Sequence, residues 1–189
     1  MEKMGFHKRD ILVDRVENAR DSQADAQKKF KSALEQFGSV VQLRNTDLKK
    51  AYDKMESEYN RSQKAAEKVS KRIDDVESVA DALFDEWQDE LKLFKSAELR
   101  RSSKEQLRET KTHYQEMLAS MHAAEESMAP VLQTFHDNVL FLKHNLNAQA
   151  IGSLGSEFSS LKTDIDELIE KMNAAIAESN AFLAKIGTR

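Results

Sequence analysis

Two residue pairs on one stretch have a spacing that could hold a metal or move a proton: His113 with Glu116, and His122 with Glu125. Each pair is three residues apart, so each shares a face if the stretch is helical. Bundle metal sites of the carboxylate type place Glu first and His three residues later, and both pairs here run the other way. No other segment supplies carboxylates at successive core positions to complete four ligands, so the histidines read as solvated surface groups. His136 and His144 flank an apolar stripe, where packing with a partial hydrogen bond is the expectation. ATP chemistry needs a glycine-rich phosphate cradle with a lysine, and no G-x-x-x-x-G-K-[ST] occurs. Gly152 and Gly155 spell GxxG without the strands that would make it a nucleic-acid clamp. No serine–histidine–acid or paired-carboxylate set stands out, so the reading assigns no catalytic, cofactor-binding or metal-binding residue and expects no enzyme.

One local feature departs from the net charge of −4. Between positions 92 and 111 lie Lys92, Lys95, Arg100, Arg101, Lys104, Arg108 and Lys111, against only Glu98, Glu105 and Glu109. Lys92 and Lys95 complement the carbonyl end of a helix that stops nearby. Arg100, Arg101 and Lys104 crowd the start of the next helix, where cations are unfavourable, so capping does not explain them. These seven residues are the candidate contact for an anionic surface or partner, such as phospholipid head groups. The overall negative charge argues against nucleic acid as that partner.

The elements that must position this cluster are long helices. Five Gly, one Pro and a charged third of the chain describe helices rather than sheets. From Leu48 through Tyr52, Met55, Tyr59, Ser62, Ala66, Val69, Ile73, Val76, Ala80 and Leu83 to Trp87 the steps alternate four and three, the seam of a supercoiling helix. Leu12, Val16, Ala19, Gln23, Ala26, Phe30, Ala33 and Phe37 repeat the pattern, as do Leu107–Leu146 and Ile151–Ile186. The spacing predicts helices at about 9–43, 47–95, 103–145 and 148–186. Asn45, Thr46 and Asp47 are placed to cap the second, Ser102 with Glu105 or Ser103 with Gln106 the third, and Asn147 to open the fourth. Gly38 is expected to loosen the end of the first, and Pro130 to kink the third without ending it. Glu67 with Lys71 and Glu167 with Lys171 read as pairs along one helix.

Short connections make successive helices antiparallel, so the fold class is all-α: one elongated up-down-up-down bundle or coiled coil spanning 1–189. Folding about 96–103 sets Ala66 near Phe135 and Tyr59 near Leu142. The first helix then lies beside the second up to about Ala80, and Phe84, Trp87, Leu91 and Phe94 face Phe182, Leu183 and Ile186. The seam aromatics Tyr52, Tyr59, Tyr114 and Trp87 belong to the core. Narrow seams on such long helices make a homodimer plausible. The function expected is a structural or interaction scaffold with an unknown protein partner or an anionic membrane surface. The alternatives are a metal-binding or enzymatic bundle, or a dimeric membrane-shaping module.

The segments 7–21 (HKRDILVDRVENARD), 82–91 (ALFDEWQDEL), 99–103 (LRRSS) and 142–151 (LKHNLNAQAI) resemble a bacterial family known only as a domain of unknown function. The resemblance covers essentially the whole chain. It implies a Gram-negative source, a non-enzymatic role and, for many members, a lipoprotein leader ending in a cysteine. A leader of that kind would place the mature protein in the periplasm, tethered to a membrane. This sequence opens at Met1 without leader or cysteine, so the expectations are periplasmic tethering if an upstream leader exists and a cytoplasmic setting otherwise.

Overall fold

The computed structural model describes residues 2–42 and 47–187, with the side chains of 2–6 and 148 outside that description. The chain forms α1 (Glu2–Val41), α2 (Leu48–Glu90), a short 3-10 turn (Leu91–Leu93), α3 (Ala97–His144) and α4 (Ala148–Gly187). Among the described residues there is no strand. At 1.5 Å per residue α3 alone is roughly 72 Å long.

Why these residues form these helices follows from the seam. Every apolar seam residue of α1 from Leu12 to Phe37 is buried, as are Ile73, Val76, Ala80 and Leu83 of α2 and Leu161, Ile165, Leu168 and Met172 of α4. The helices close into an antiparallel ring. Lys8 pairs with Glu86 at 2.7 Å and Ser62 donates to the Lys29 carbonyl at 3.4 Å, joining α1 and α2. Lys171 donates to Ser127 at 2.9 Å between α4 and α3. Gln27 donates to Asn173 at 2.7 Å, and Arg9 to the Ile186 carbonyl, returning α4 to α1.

Two aromatic groups brace the rod at separate levels. Toward the α1 carboxyl end each helix contributes one ring: Phe37 lies 6.1 Å from Phe135 and 5.6 Å from Phe158, and Tyr59 lies 6.0 Å from Phe135. Toward the other end Phe84, Tyr114 and Phe182 stack in sequence at 5.3 and 6.2 Å. Between them the core mixes large groups such as Phe30, Met121, Met128 and Leu168 with small or polar ones, Ala19, Gln23, Ala26, Ala124, Ala175 and Ser179, all buried.

Several expectations are corrected. α1 begins at Glu2, seven residues earlier than its seam implied, so it reaches Glu86 of α2 rather than stopping near Ala80. α2 tightens into the 3-10 turn at Leu91 and breaks at Phe94, whose backbone is extended at φ −66°, ψ 124°. Ser96, not Ser102 or Ser103, caps α3, its hydroxyl accepting the Leu99 N–H at 3.3 Å. That earlier turn slides the α2–α3 register by two helical turns, so Tyr59 meets Phe135 and its neighbour His136, with Leu142 beyond. Gly38 lies within α1 and serves packing, because a Cβ there would stand 3.1 Å from the Phe158 ring. Lys171 reaches Ser127 rather than Glu167, and Lys71 makes no ion pair with Glu67.

Other expectations hold. Asp47 accepts the Lys50 N–H at 3.2 Å and Asn147 the Ala150 N–H at 2.8 Å, opening α2 and α4. Asn45 and Thr46 lie outside the described residues. α3 passes through Pro130 and continues to His144.

Candidate functional site at the hairpin tip

The α2–α3 hairpin is locked just below its tip. Trp87 is half-buried and its indole N–H donates to the Ser103 hydroxyl at 2.9 Å, so the serine expected to cap α3 ties the two helices together instead. Next to this lock Phe84 and Leu107 are buried and Leu91 is half-buried. Above it every residue from Lys92 to Ser102 is exposed. Phe94 was expected to meet the end of α4, and that is corrected too, since it lies among these exposed residues. Lys185 of α4 meets His113 at 2.9 Å. From that contact back to Ala97, α3 rises roughly 24 Å at 1.5 Å per residue, carrying the tip beyond the α4 contacts.

The seven basic residues do not act as one set. Lys92 is paired with Asp89 at 2.8 Å, and Arg108 with Glu105. Lys111 is half-buried, its ammonium 5.5 Å from the centre of the Phe84 ring. The side chains of Lys95, Arg100, Arg101 and Lys104 are exposed and make no ion pair or hydrogen bond among the described residues. Lys92, Arg100, Arg101 and Lys104, with Leu91 and Glu98, line an open cleft between the end of α2 and the start of α3. Arg100 and Arg101 stand in the first turns of a helix begun at Ala97, where unpaired N–H groups already concentrate positive charge. Their placement costs the helix a few tenths of a kcal/mol to about 1 kcal/mol each, and no intramolecular partner offsets it.

The exposure of apolar side chains at the same tip was not expected from the sequence. Leu93 is 73%, Leu99 59% and Phe94 37% exposed, all within the seven residues that span the turn. The signal was present, since all three fall off the four–three seam, but only the position of the turn decides that nothing covers them.

The family model described as "Protein of unknown function (DUF2959)" matches residues 1–186. The chain belongs to that family. No curated protein matches the chain, and no solved structure does.

In this DUF2959 chain the histidine pairs take up structural contacts. His122 is not simply a solvated group: its Nδ1 lies 2.8 Å from Glu125 on its own helix, and its Nε2 lies 3.3 Å from Glu77 on α2. His113 sits 3.3 Å from Glu116 and also meets Lys185. His136 packs against Tyr59, the ring centres 5.0 Å apart. Among the described residues no three or more His, Asp or Glu converge as a metal-binding group. Burial works against charge on His122, but the hydrogen bonds to Glu125 and then Glu77, with both carboxylate charges, outweigh it and raise its pKa above the ordinary histidine value.

A group whose pKa is higher folded than unfolded adds stability in full below the unfolded value, and that stability disappears as pH rises through the folded value. His122→Gln is therefore expected to lower the denaturation midpoint more at about pH 5 than at about pH 8.5. The side chain is about a third exposed, so solvent screening keeps the difference small. Equal losses at both pH values would remove the charge from the α2–α3 contact.

Proposed function

We propose that this chain is a non-enzymatic scaffold of the cell envelope, a rod whose basic hairpin tip docks on an anionic surface. The observation that carries the reading is the set of four exposed cations, Lys95, Arg100, Arg101 and Lys104, without an ion pair among the described residues. A basic residue close to an anionic bilayer contributes about 1 kcal/mol, and the attraction decays over a Debye length of about 8 Å at physiological salt. That range favours the tip. Lys92, Lys95, Arg100 and Arg101 cluster at the turn within it and Lys104 stands just beyond, roughly 10 Å down the rise of α3 from Ala97, whereas Arg108 and Lys111 stand roughly 16 and 21 Å down. The rest of the rod carries the acidic excess and is repelled by the same surface, so contact end-on is favoured over contact along the flank. No described helix is long and apolar enough to cross a membrane, so in this reading the bundle meets the surface from one side.

Co-sedimentation with vesicles containing phosphatidylglycerol tests the proposal. Wild-type protein is expected to pellet with the vesicles at low salt and progressively less as salt rises. Arg100→Glu with Arg101→Glu is expected to weaken binding at least about tenfold, because two attractions become two repulsions. Wild-type protein that stays in the supernatant, or a double variant that pellets equally well, removes the tip as the contact. Circular dichroism of the variant checks that the helices survive, and both positions are exposed.

A further inference from the structure

We infer that the tip does more than sit on charged head groups: Leu93, Phe94 and Leu99 enter the interfacial layer of an anionic phospholipid bilayer, with the surrounding cations holding the tip at the phosphates. The inference rests on the electrostatic reading of the tip and adds an apolar, depth-dependent part to it. Leucines at 73% and 59% exposure stand beside a phenylalanine at 37%, at one short turn between two long helices. Isolated exposed leucines need no explanation, but apolar residues clustered within one short turn do.

Their surroundings select the occupant. Lys92, Lys95, Arg100, Arg101 and Lys104 alternate with the three apolar residues through one exposed segment. An apolar core ringed by cations matches the layering of an anionic bilayer, with phosphate outside and acyl chain within. Of the acidic groups nearest the segment, Asp89 is engaged by Lys92 and Glu105 by Arg108, while Glu90 and Glu98 make no ion pair, so the four unpaired cations outnumber the unpaired carboxylates two to one. The opposite end of the bundle also exposes apolar groups, Leu140, Phe141 and Leu146. Of the described lysines and arginines at that end only Lys143 is interleaved with them, while Lys49 and Lys50 stand on α2, so among the described residues the closer interleaving of cations with apolar groups in one segment belongs to the α2–α3 tip.

The two parts of the contact separate by salt. Screening removes the electrostatic attraction and leaves the apolar one. Because the chain has no cysteine, Leu93→Cys, Leu99→Cys and a flank control, Thr163→Cys, each accept one environment-sensitive nitrobenzoxadiazole label. With vesicles of equal parts phosphatidylglycerol and phosphatidylcholine, labels at 93 and 99 are expected to shift to the blue and to be quenched by acyl-chain spin labels, while the label at 163 does neither. Unlabelled Leu93→Ser with Leu99→Ser is expected to keep its low-salt binding within about threefold and to lose at least about tenfold at high salt. Protein that pellets with vesicles while both tip labels remain in water overturns the insertion and leaves the electrostatic contact standing. Protein that never pellets overturns both. A blue shift that grows with protein concentration in the absence of lipid also overturns it, by making the tip a contact between copies of this chain.

Discussion

Phe37→Ala is expected to lower the unfolding free energy by about 3 to 5 kcal/mol, the cost of deleting a fully enclosed aromatic ring. Phe37 has no solvent exposure and packs against rings from two other helices, Phe135 at 6.1 Å and Phe158 at 5.6 Å. The Phe37–Phe135 contact passes between non-adjacent members of the four-helix ring, through the middle of the bundle, so a cavity there is bounded by helices that cannot approach one another without losing their other contacts. Phe158 limits any relaxation further. It lies against the Gly38 backbone, and α1 would have to rotate to follow it. Urea unfolding followed by circular dichroism measures the effect as a shift in midpoint at unchanged slope. A loss below about 1 kcal/mol would show that the four-helix aromatic layer is not closed around Phe37.

Gln23→Met should move stability the other way, by about 1 to 3 kcal/mol upward. Gln23 is completely buried at the middle of the α1 seam, and neither its amide nitrogen nor its carbonyl oxygen has a hydrogen-bond partner in the protein. An amide taken from water without replacement partners carries its full desolvation cost. Methionine has nearly the same length and volume and leaves no polar atom behind, and its flexible thioether can fill the space among the neighbouring small residues. The same urea titration reads the change. A decrease would mean that ordered water satisfies the amide inside the bundle. A buried polar residue can also fix register and copy number, so sedimentation velocity on the variant belongs beside the titration. A changed sedimentation coefficient without unfolding would assign Gln23 to specificity rather than stability.

Helix type and inward face were legible along almost the whole chain. The buried residues of α1, from Leu12 to Phe37, are the ones its four–three spacing selects, with Ser22 the one addition. The α4 stripe is equally faithful, with only Phe158 half-exposed. Errors gathered at the α2–α3 turn. Ser96, Ser102 and Ser103 all offer the hydroxyl that an N-cap needs, and the last two are followed three residues later by Glu105 and Gln106, which made them better local candidates. Ser103 is instead claimed by the Trp87 indole, a contact sixteen residues away that capping rules do not contain. Likewise His122 pairs with Glu125 by local spacing, but its second partner, Glu77, arrives from α2.

From the residues alone came the number of long helices, the face each one buries, and a concentration of basic residues near one turn, because periodicity and composition are properties of neighbours along the chain. Folding decided the axial offsets between helices, which bring Tyr59 to Phe135, and the freedom of Arg100, Arg101, Lys104 and Lys95 from intramolecular pairing. It also decided that Leu93, Phe94 and Leu99 face water. A repeat of seven residues looks nearly the same after a slip of two turns, so the seam specifies which side chains point inward but not which of them meet. That choice depends on where one short turn breaks the helix and on where the neighbouring helices stop.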